Sequence, residues 1–227
     1  METIKLIANQ DKKSPISEAY RTLRTSIRFS GADRELKTIA VISALPGEGK
    51  STTISNLAVV IAQSGQKVLV VDCDLRKPKQ HSIFAAENRG LTNYLISQEP
   101  MESFIQATEV ENIHLMTAGP VPPNPAELLE SRKFKELLEQ LKGYYDYILL
   151  DCTPVVPVAD STIIAEQADG VLMLLCAGAA SPKIAQETKL KLQAVGANIL
   201  GVVLNKVEPQ HSYGYAYYYY YGHEEDK

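Results

Sequence analysis

The segment Ala44-Leu-Pro-Gly47-Glu-Gly49-Lys50-Ser51-Thr52 constrains this chain most, because it directly follows a strand-like run, Lys37 to Ser43, and opens a helical one, Thr52 to Ser64. Glycines in such a loop let backbone N–H groups approach phosphate oxygens. The helix N-terminus adds its positive dipole end, the lysine reaches the outer phosphates, and the hydroxyl after it can ligate Mg²⁺. The pattern G-x-x-x-x-G-K-[ST] is met except at its first position, where Ala44 stands in place of glycine. Alanine serves there if the backbone needs no positive φ. Pro46, Gly47, Glu48, Gly49, Lys50, Ser51 and Thr52 are therefore the expected nucleotide contacts, with ATP and Mg²⁺ as the ligands.

Further apolar runs repeat the strand signal at Lys67 to Asp72, Ile113 to Thr117, Tyr147 to Asp151, Val171 to Cys176 and Ile199 to Leu204. Each suits a strand buried on both faces. Helical patterns fall between them at Pro125 to Lys142, Asp160 to Gln167 and Pro182 to Val195. Strand and helix alternating in this way predict an α/β fold, a three-layer phosphate-loop NTPase whose mainly parallel sheet is flanked by helices. Ligands of such sheets bind at the carboxyl ends of the strands. One domain over 1–206 and a tail over 207–227 follow.

Two strand-like runs end in carboxylates. In Val68-Leu-Val-Val-Asp72-Cys-Asp74-Leu-Arg76 the two aspartates are two residues apart, so extended backbone aims both side chains the same way. Tyr147-Ile-Leu-Leu-Asp151 has the apolar strand and terminal aspartate that hold Mg²⁺ in phosphate-loop enzymes. A lone aspartate at a strand end is usually a turn former, but three at two strand ends beside a phosphate loop point to a site. Lys50, Asp72, Asp74 and Asp151 are the catalytic candidates: Asp72 as base, and Asp74 and Asp151 with Ser51 around the metal. The sequence leaves the division among the carboxylates open. Asn205 is placed to hydrogen-bond a nucleobase edge.

The chain also carries the run Tyr213-Gly-Tyr215-Ala-Tyr217-Tyr218-Tyr219-Tyr220-Tyr221, which holds seven of its twelve tyrosines and lies close to the acidic terminus. No aliphatic neighbours offer these rings a core, so the tail is expected to be mobile and exposed. A phosphate loop with a tyrosine cluster suggests an enzyme that phosphorylates its own tail. The tyrosine hydroxyl, with an unperturbed pKa of about 10, needs a carboxylate to accept its proton. Near the other end, Ser14 caps and Pro15 opens a helix over about 14–29. Ile16, Tyr20, Leu23 and Ile27 form an apolar stripe there, beside a basic stripe of Arg21, Arg24 and Arg28. Periodicity favours packing of this helix on its own domain.

A formal net charge of −4 argues against direct nucleic-acid binding, and no apolar run approaches the roughly 18 residues needed to span a bilayer. Met1-Glu-Thr-Ile-Lys lacks a secretory start, so the chain is expected in the cytoplasm. Cys73, Cys152 and Cys176 sit in or beside apolar strand sequence and are expected to be small buried core residues.

With the phosphate loop, Val68 to Pro78, Tyr147 to Pro154 and the tyrosine cluster in view, the chain resembles the bacterial tyrosine kinase (BY-kinase) family, in the free cytoplasmic form found in capsule and exopolysaccharide systems. Leu45 replaces the signature lysine of partition and septum-site ATPases, and the pattern Glu18-x-x-Arg21-x-x-Arg24 further separates the two. The resemblance implies tail autophosphorylation and a homo-oligomeric ring assembled through Glu18, Arg21 and Arg24. It also implies a transmembrane adaptor that recruits and activates the kinase at the inner face of the membrane, a cognate tyrosine phosphatase and other protein substrates. The rival readings are a positioning ATPase and a nucleotide-switched scaffold. From Val207 to Tyr217 is 11 residues, a span of at most roughly 35 Å, so length alone allows transfer within one chain.

Overall fold

All six strand-like runs form strands, and the interior positions of all but the last are almost wholly buried. The computed structural model describes residues 6–31 and 35–208. In chain order the elements are α1 (Ile7–Gln10), α2 (Pro15–Ser30), β1 (Thr38–Ser43), α3 (Lys50–Ala62), β2 (Val68–Asp72), α4 (Gln80–Ile83) and α5 (Leu91–Ile96). A 3-10 turn at Met101–Phe104 leads to β3 (Gln106–Ala107), β4 (Ile113–Met116), α6 (Pro125–Glu130), α7 (Arg132–Leu141) and β5 (Tyr147–Asp151). The chain continues through α8 (Asp160–Gln167), β6 (Gly170–Cys176), α9 (Pro182–Ala194) and β7 (Ile199–Asn205).

Among the described residues the sheet runs β3-β4-β2-β5-β1-β6-β7. Every neighbouring pair is parallel except β3 with β4. Alternation along each strand sorts the core into two layers. Leu69, Val71, Ile148 and Leu150 pack with Phe134, Leu137 and Leu141 of α7 and Ile164 of α8. Val68, Val70, Ile39 and Val41 pack with Ile54, Leu57 and Ile61 of α3. This is the expected three-layer arrangement. Cys73, Cys152 and Cys176 are free thiols and buried.

Two expectations need correction. β7 is not buried on both faces: it is the last strand of the sheet, and Val202 and Leu204 are 57% and 59% exposed because none of the described residues covers one of its sides. The helical pattern from Pro125 to Lys142 is two helices. Ser131 breaks it with extended backbone (φ −60°, ψ 148°), and its hydroxyl accepts the Phe134 N–H to cap α7. The short elements α1, α4, α5 and β3 gave too few periods to be read.

Helix α2 begins as predicted, with the Ser14 hydroxyl accepting the Ser17 N–H and Pro15 at the first position. It packs on its own domain: Ile27 is buried against α3, Tyr20 and Leu23 are half-buried there, and the Arg24 guanidinium donates to the Val60 carbonyl at 2.7 Å. Glu18 and Arg21 pair at 2.7 Å on the outer side.

At the end of the sheet opposite the phosphate loop, Asp169 joins three elements. Its carboxylate accepts the backbone N–H groups of Lys37 and Thr38 at 3.1 and 2.8 Å and the Lys142 ammonium at 3.0 Å. Burial acts to raise its pKa, but the Thr38 and Lys142 hydrogen bonds outweigh burial and hold it below the usual carboxylate value. The folded state therefore favours the ionised form. The resulting stability is complete above the unfolded pKa and lost as pH falls through the lowered folded value. Asp169→Asn should cost about 1–3 kcal/mol in urea unfolding at pH 7. That deficit should shrink below about pH 4, whereas a deficit independent of pH would contradict the assignment.

Candidate nucleotide site

The phosphate loop leaves β1 between β5 and β6, in the middle of the sheet. Only Gly47 (φ 78°) and Gly49 (φ 100°) adopt positive φ within it, so Ala44, fully buried, meets the condition on which its replacement of glycine rested. Lys50 opens α3, which makes the helix N-terminus part of the loop.

The loop is braced from behind. Glu48 is 2% exposed, and its carboxylate accepts the Leu45 N–H at 2.7 Å and the Cys176 N–H of β6 at 3.0 Å. From the end of β7, the Asn205 side-chain amide donates to the Glu48 carbonyl at 2.8 Å and the Lys206 ammonium to the Gly47 carbonyl at 2.9 Å. Glu48 and Asn205 were both expected to touch the nucleotide. In the structure their side chains hold the loop, and Asn205 approaches Gly49 so closely that a Cβ there would stand 2.3 Å from its amide nitrogen.

The carboxylates meet through strand register: β2 and β5 pair with Asp72 opposite Asp151. Both are essentially fully buried. Asp72 accepts the backbone N–H groups of Asp74, Lys79 and Gln80 at 3.2, 2.9 and 2.9 Å, so its oxygens order the loop that follows β2. Burial pushes the Asp72 carboxyl well up, Asp151 adds to this, and the Gln80 and Lys79 N–H groups oppose it. Burial also raises Asp151, against the charge of Lys50 and the hydrogen bond from Gln80, with the Ser51 hydroxyl close by. Asp74 is half-buried, and its Oδ1 accepts the Lys77 N–H at 2.9 Å.

Seven of the predicted residues surround one cavity of about 530 Å³: Pro46, Gly47, Gly49, Lys50, Ser51, Thr52 and Asp74. Asp72 and Asp151 do not line it but are buried next to it, Asp151 beside Lys50 and Ser51, and Lys50 is only 7% exposed. Sequence reasoning missed the cationic rim of Arg76, Lys77, Lys79 and Lys206. The Arg-Lys-Pro-Lys run two residues after Asp74 was its available signal. Arg76 is held in a two-pronged ion pair with buried Asp160, at 2.7 and 3.0 Å. Gln80 was also missed, and nothing in its local sequence announced it.

The residues present fit a divalent cation. Asp151 Oδ1 is buried with no hydrogen-bond partner, while Oδ2 accepts from Gln80 at 2.7 Å. A buried carboxylate oxygen without a partner carries an uncompensated desolvation cost. Mg²⁺, held through Asp151 and the Ser51 hydroxyl with waters between, would remove it. Tyr213, Tyr215, Tyr217, Tyr218, Tyr219, Tyr220 and Tyr221 lie outside the described residues.

Comparison with known proteins now decides the family. The AAA domain family matches residues 36–187. The tyrosine-protein kinase YwqD of Bacillus subtilis (strain 168) is 43% identical over 213 residues, 92% of this chain and 90% of that protein. The chain belongs to the bacterial tyrosine kinases. The kinase domain of the Escherichia coli tyrosine kinase ETK superposes with a TM-score of 0.87 at 33% identity, over 92% of this chain and 82% of that one. The septum-site-determining protein MinD of Pyrococcus horikoshii, solved with Mg-ADP, is less similar: TM-score 0.64 and 26% identity over 74% of this chain and 69% of that one. The family and the phosphate-loop fold are therefore those the sequence implied.

Gly49→Ala should lower affinity for a fluorescent ATP analogue by about ten-fold or more, since the substitution meets both a positive φ and the Asn205 amide. Adding Asn205→Ala removes the clash but not the backbone strain, so only part of the affinity should return. Wild-type binding by Gly49→Ala would contradict this geometry.

Proposed function

We propose that this chain is an ATP-dependent protein-tyrosine kinase that phosphorylates the tyrosines of its own C-terminal cluster, each subunit of a ring serving its neighbour. Membership of the bacterial tyrosine kinases supports the activity. The observation that carries the chemistry is one cavity walled by the phosphate loop, Lys50, Ser51 and Asp74, with Asp72 and Asp151 paired at the buried strand ends beside it.

In this reading the tyrosine oxygen bonds to the γ-phosphorus, the bond from that phosphorus to the β,γ-bridging oxygen breaks, and ADP leaves. Lys50 and the amides of the loop neutralise charge gathering on the transferred group. Ser51 and Asp151 would hold Mg²⁺, which would supply further positive charge to the transferred group. The phenolic proton passes to a carboxylate. Asp74 is the better placed base, because it stands on the cavity wall, whereas the oxygens of Asp72 are engaged by three backbone N–H groups. The rim of Arg76, Lys77, Lys79 and Lys206 suits an acidic peptide beside the target tyrosine.

Assembly is assigned to Glu18, Arg21 and Arg24. Within the subunit Arg24 also donates to the Val60 carbonyl, and Arg21 to the Lys12 carbonyl and Glu18. A ring would offer each tail to the next site at high effective concentration. Each phosphotyrosine adds about −1.5 to −2 charges, and several on adjacent tails would repel and loosen the ring. Among the described residues no helix is long and apolar enough to cross a membrane. Recruitment to the inner membrane face by a transmembrane adaptor, reversal by a cognate phosphatase, action on other proteins and control of capsular or exopolysaccharide synthesis extend the reading from the family resemblance.

The test mixes a Lys50→Met chain with a chain whose seven tail tyrosines are phenylalanine, in the presence of γ-labelled ATP and Mg²⁺. Label on the Lys50→Met chain is the expected result. Its absence despite co-assembly overturns transfer between subunits, and wild-type protein that releases phosphate with no label on tyrosine overturns the kinase reading.

A further inference from the structure

Gln80 is fully buried, and its side chain touches the phosphate-loop helix and the end of β5 at once. Its amide nitrogen donates to Asp151 Oδ2 at 2.7 Å and to the Ser51 carbonyl at 3.3 Å. Its amide oxygen accepts from the Ser55 hydroxyl at 2.9 Å, while its backbone N–H donates to Asp72 Oδ2 at 2.9 Å. The amide can take only one orientation. Asp151 and the Ser51 carbonyl are both acceptors, so the nitrogen must face them and the oxygen must face Ser55.

The consequence for Asp151 is geometric. With Oδ2 tied to Gln80, the carboxylate plane is fixed and the lone oxygen without a partner, Oδ1, is the one left for a metal or its water. We propose that Gln80 is the positioning residue of the Mg²⁺ site, orienting Asp151 and locking it to the Ser51 end of the phosphate loop. Through its backbone N–H, the same residue also closes the turn of residues 73–79 that carries Asp74, Lys77 and Lys79 to the cavity. An outer partner that orients a ligating carboxylate contributes about 10–100-fold to metal affinity.

The inference rests on the nucleotide and Mg²⁺ reading above but not on phosphoryl transfer. Its test is equilibrium binding of mant-ADP to the full chain, first without divalent cation and then across an Mg²⁺ titration. Gln80→Leu should raise the Mg²⁺ midpoint by about ten-fold, with metal-free mant-ADP affinity held within about two-fold, as expected for a group that acts only through the metal. Ser55→Ala, which removes the hydroxyl that holds the amide oxygen, should raise the midpoint by about three-fold. The double variant should match Gln80→Leu alone, because Ser55 acts through Gln80. A midpoint unchanged in Gln80→Leu overturns the proposal, as does an equal loss of affinity with and without Mg²⁺. Should Gln80→Leu fail to fold by circular dichroism, Ser55→Ala decides, and its unchanged midpoint overturns the proposal. Protein that hydrolyses ATP without labelling tyrosine, yet shows these shifts, would remove the kinase reading and leave this one standing.

Discussion

The register of β2 against β5 is the constraint on which the rest of the site depends. It sets Asp72 directly opposite Asp151, at the point where both parallel strands end and both faces are covered by helices. Two buried carboxylates side by side are unfavourable as a bare pair, since each loses its hydration and each repels the other. The surrounding structure answers with specific donors. Three backbone N–H groups of the turn after β2 converge on Asp72, and Gln80 and the charge of Lys50 act on Asp151. One Asp151 oxygen is left unanswered, and that residue of strain is what makes the place receptive to a cation.

The same logic of opposed requirements shapes the phosphate loop. Its N–H groups must point at phosphate, so its carbonyls point away and need donors of their own. Asn205 and Lys206 supply two of them from the end of β7, and Glu48 pins Leu45 to β6. A loop held on both sides keeps its amides in place before a ligand arrives, so little ordering entropy remains to be lost on binding. The cost falls on Gly49, where left-handed backbone and the Asn205 amide exclude every larger residue.

How much of this could be read in advance follows from the range of the interactions involved. β5 and α8 were placed to the residue because an apolar run of strand length and a short helical pattern carry their own boundaries. The phosphate loop was legible because phosphate binding demands glycine, lysine and hydroxyl at fixed spacing. Gln80 was invisible because its partners lie 25 to 71 residues away, and a lone glutamine has no local pattern. Asn205 was singled out at the strand end, but its hydrogen bond to the Glu48 carbonyl was not foreseen, since a strand-end amide can serve base or backbone equally well. Asp72 and Asp74 looked equivalent as neighbours on one strand end. What separates them is a turn that folds back over Asp72 and leaves Asp74 on the cavity wall.

Helix α2 shows why periodicity and assembly are separate questions. An apolar stripe reports only that a face must be covered, and here α3 covers it through Ile27, Tyr20 and Leu23. Covering that face consumes Arg24 as well, because its guanidinium satisfies a carbonyl near the end of α3. The outward pair of Glu18 and Arg21 costs little to separate, since an exposed ion pair is worth at most about 1 kcal/mol. A complementary pair on another subunit can therefore exchange partners with it at almost no loss. In the ring proposed above, strength would come from the number of subunits that close it, and each contact alone would be weak enough for charge on the tails to open.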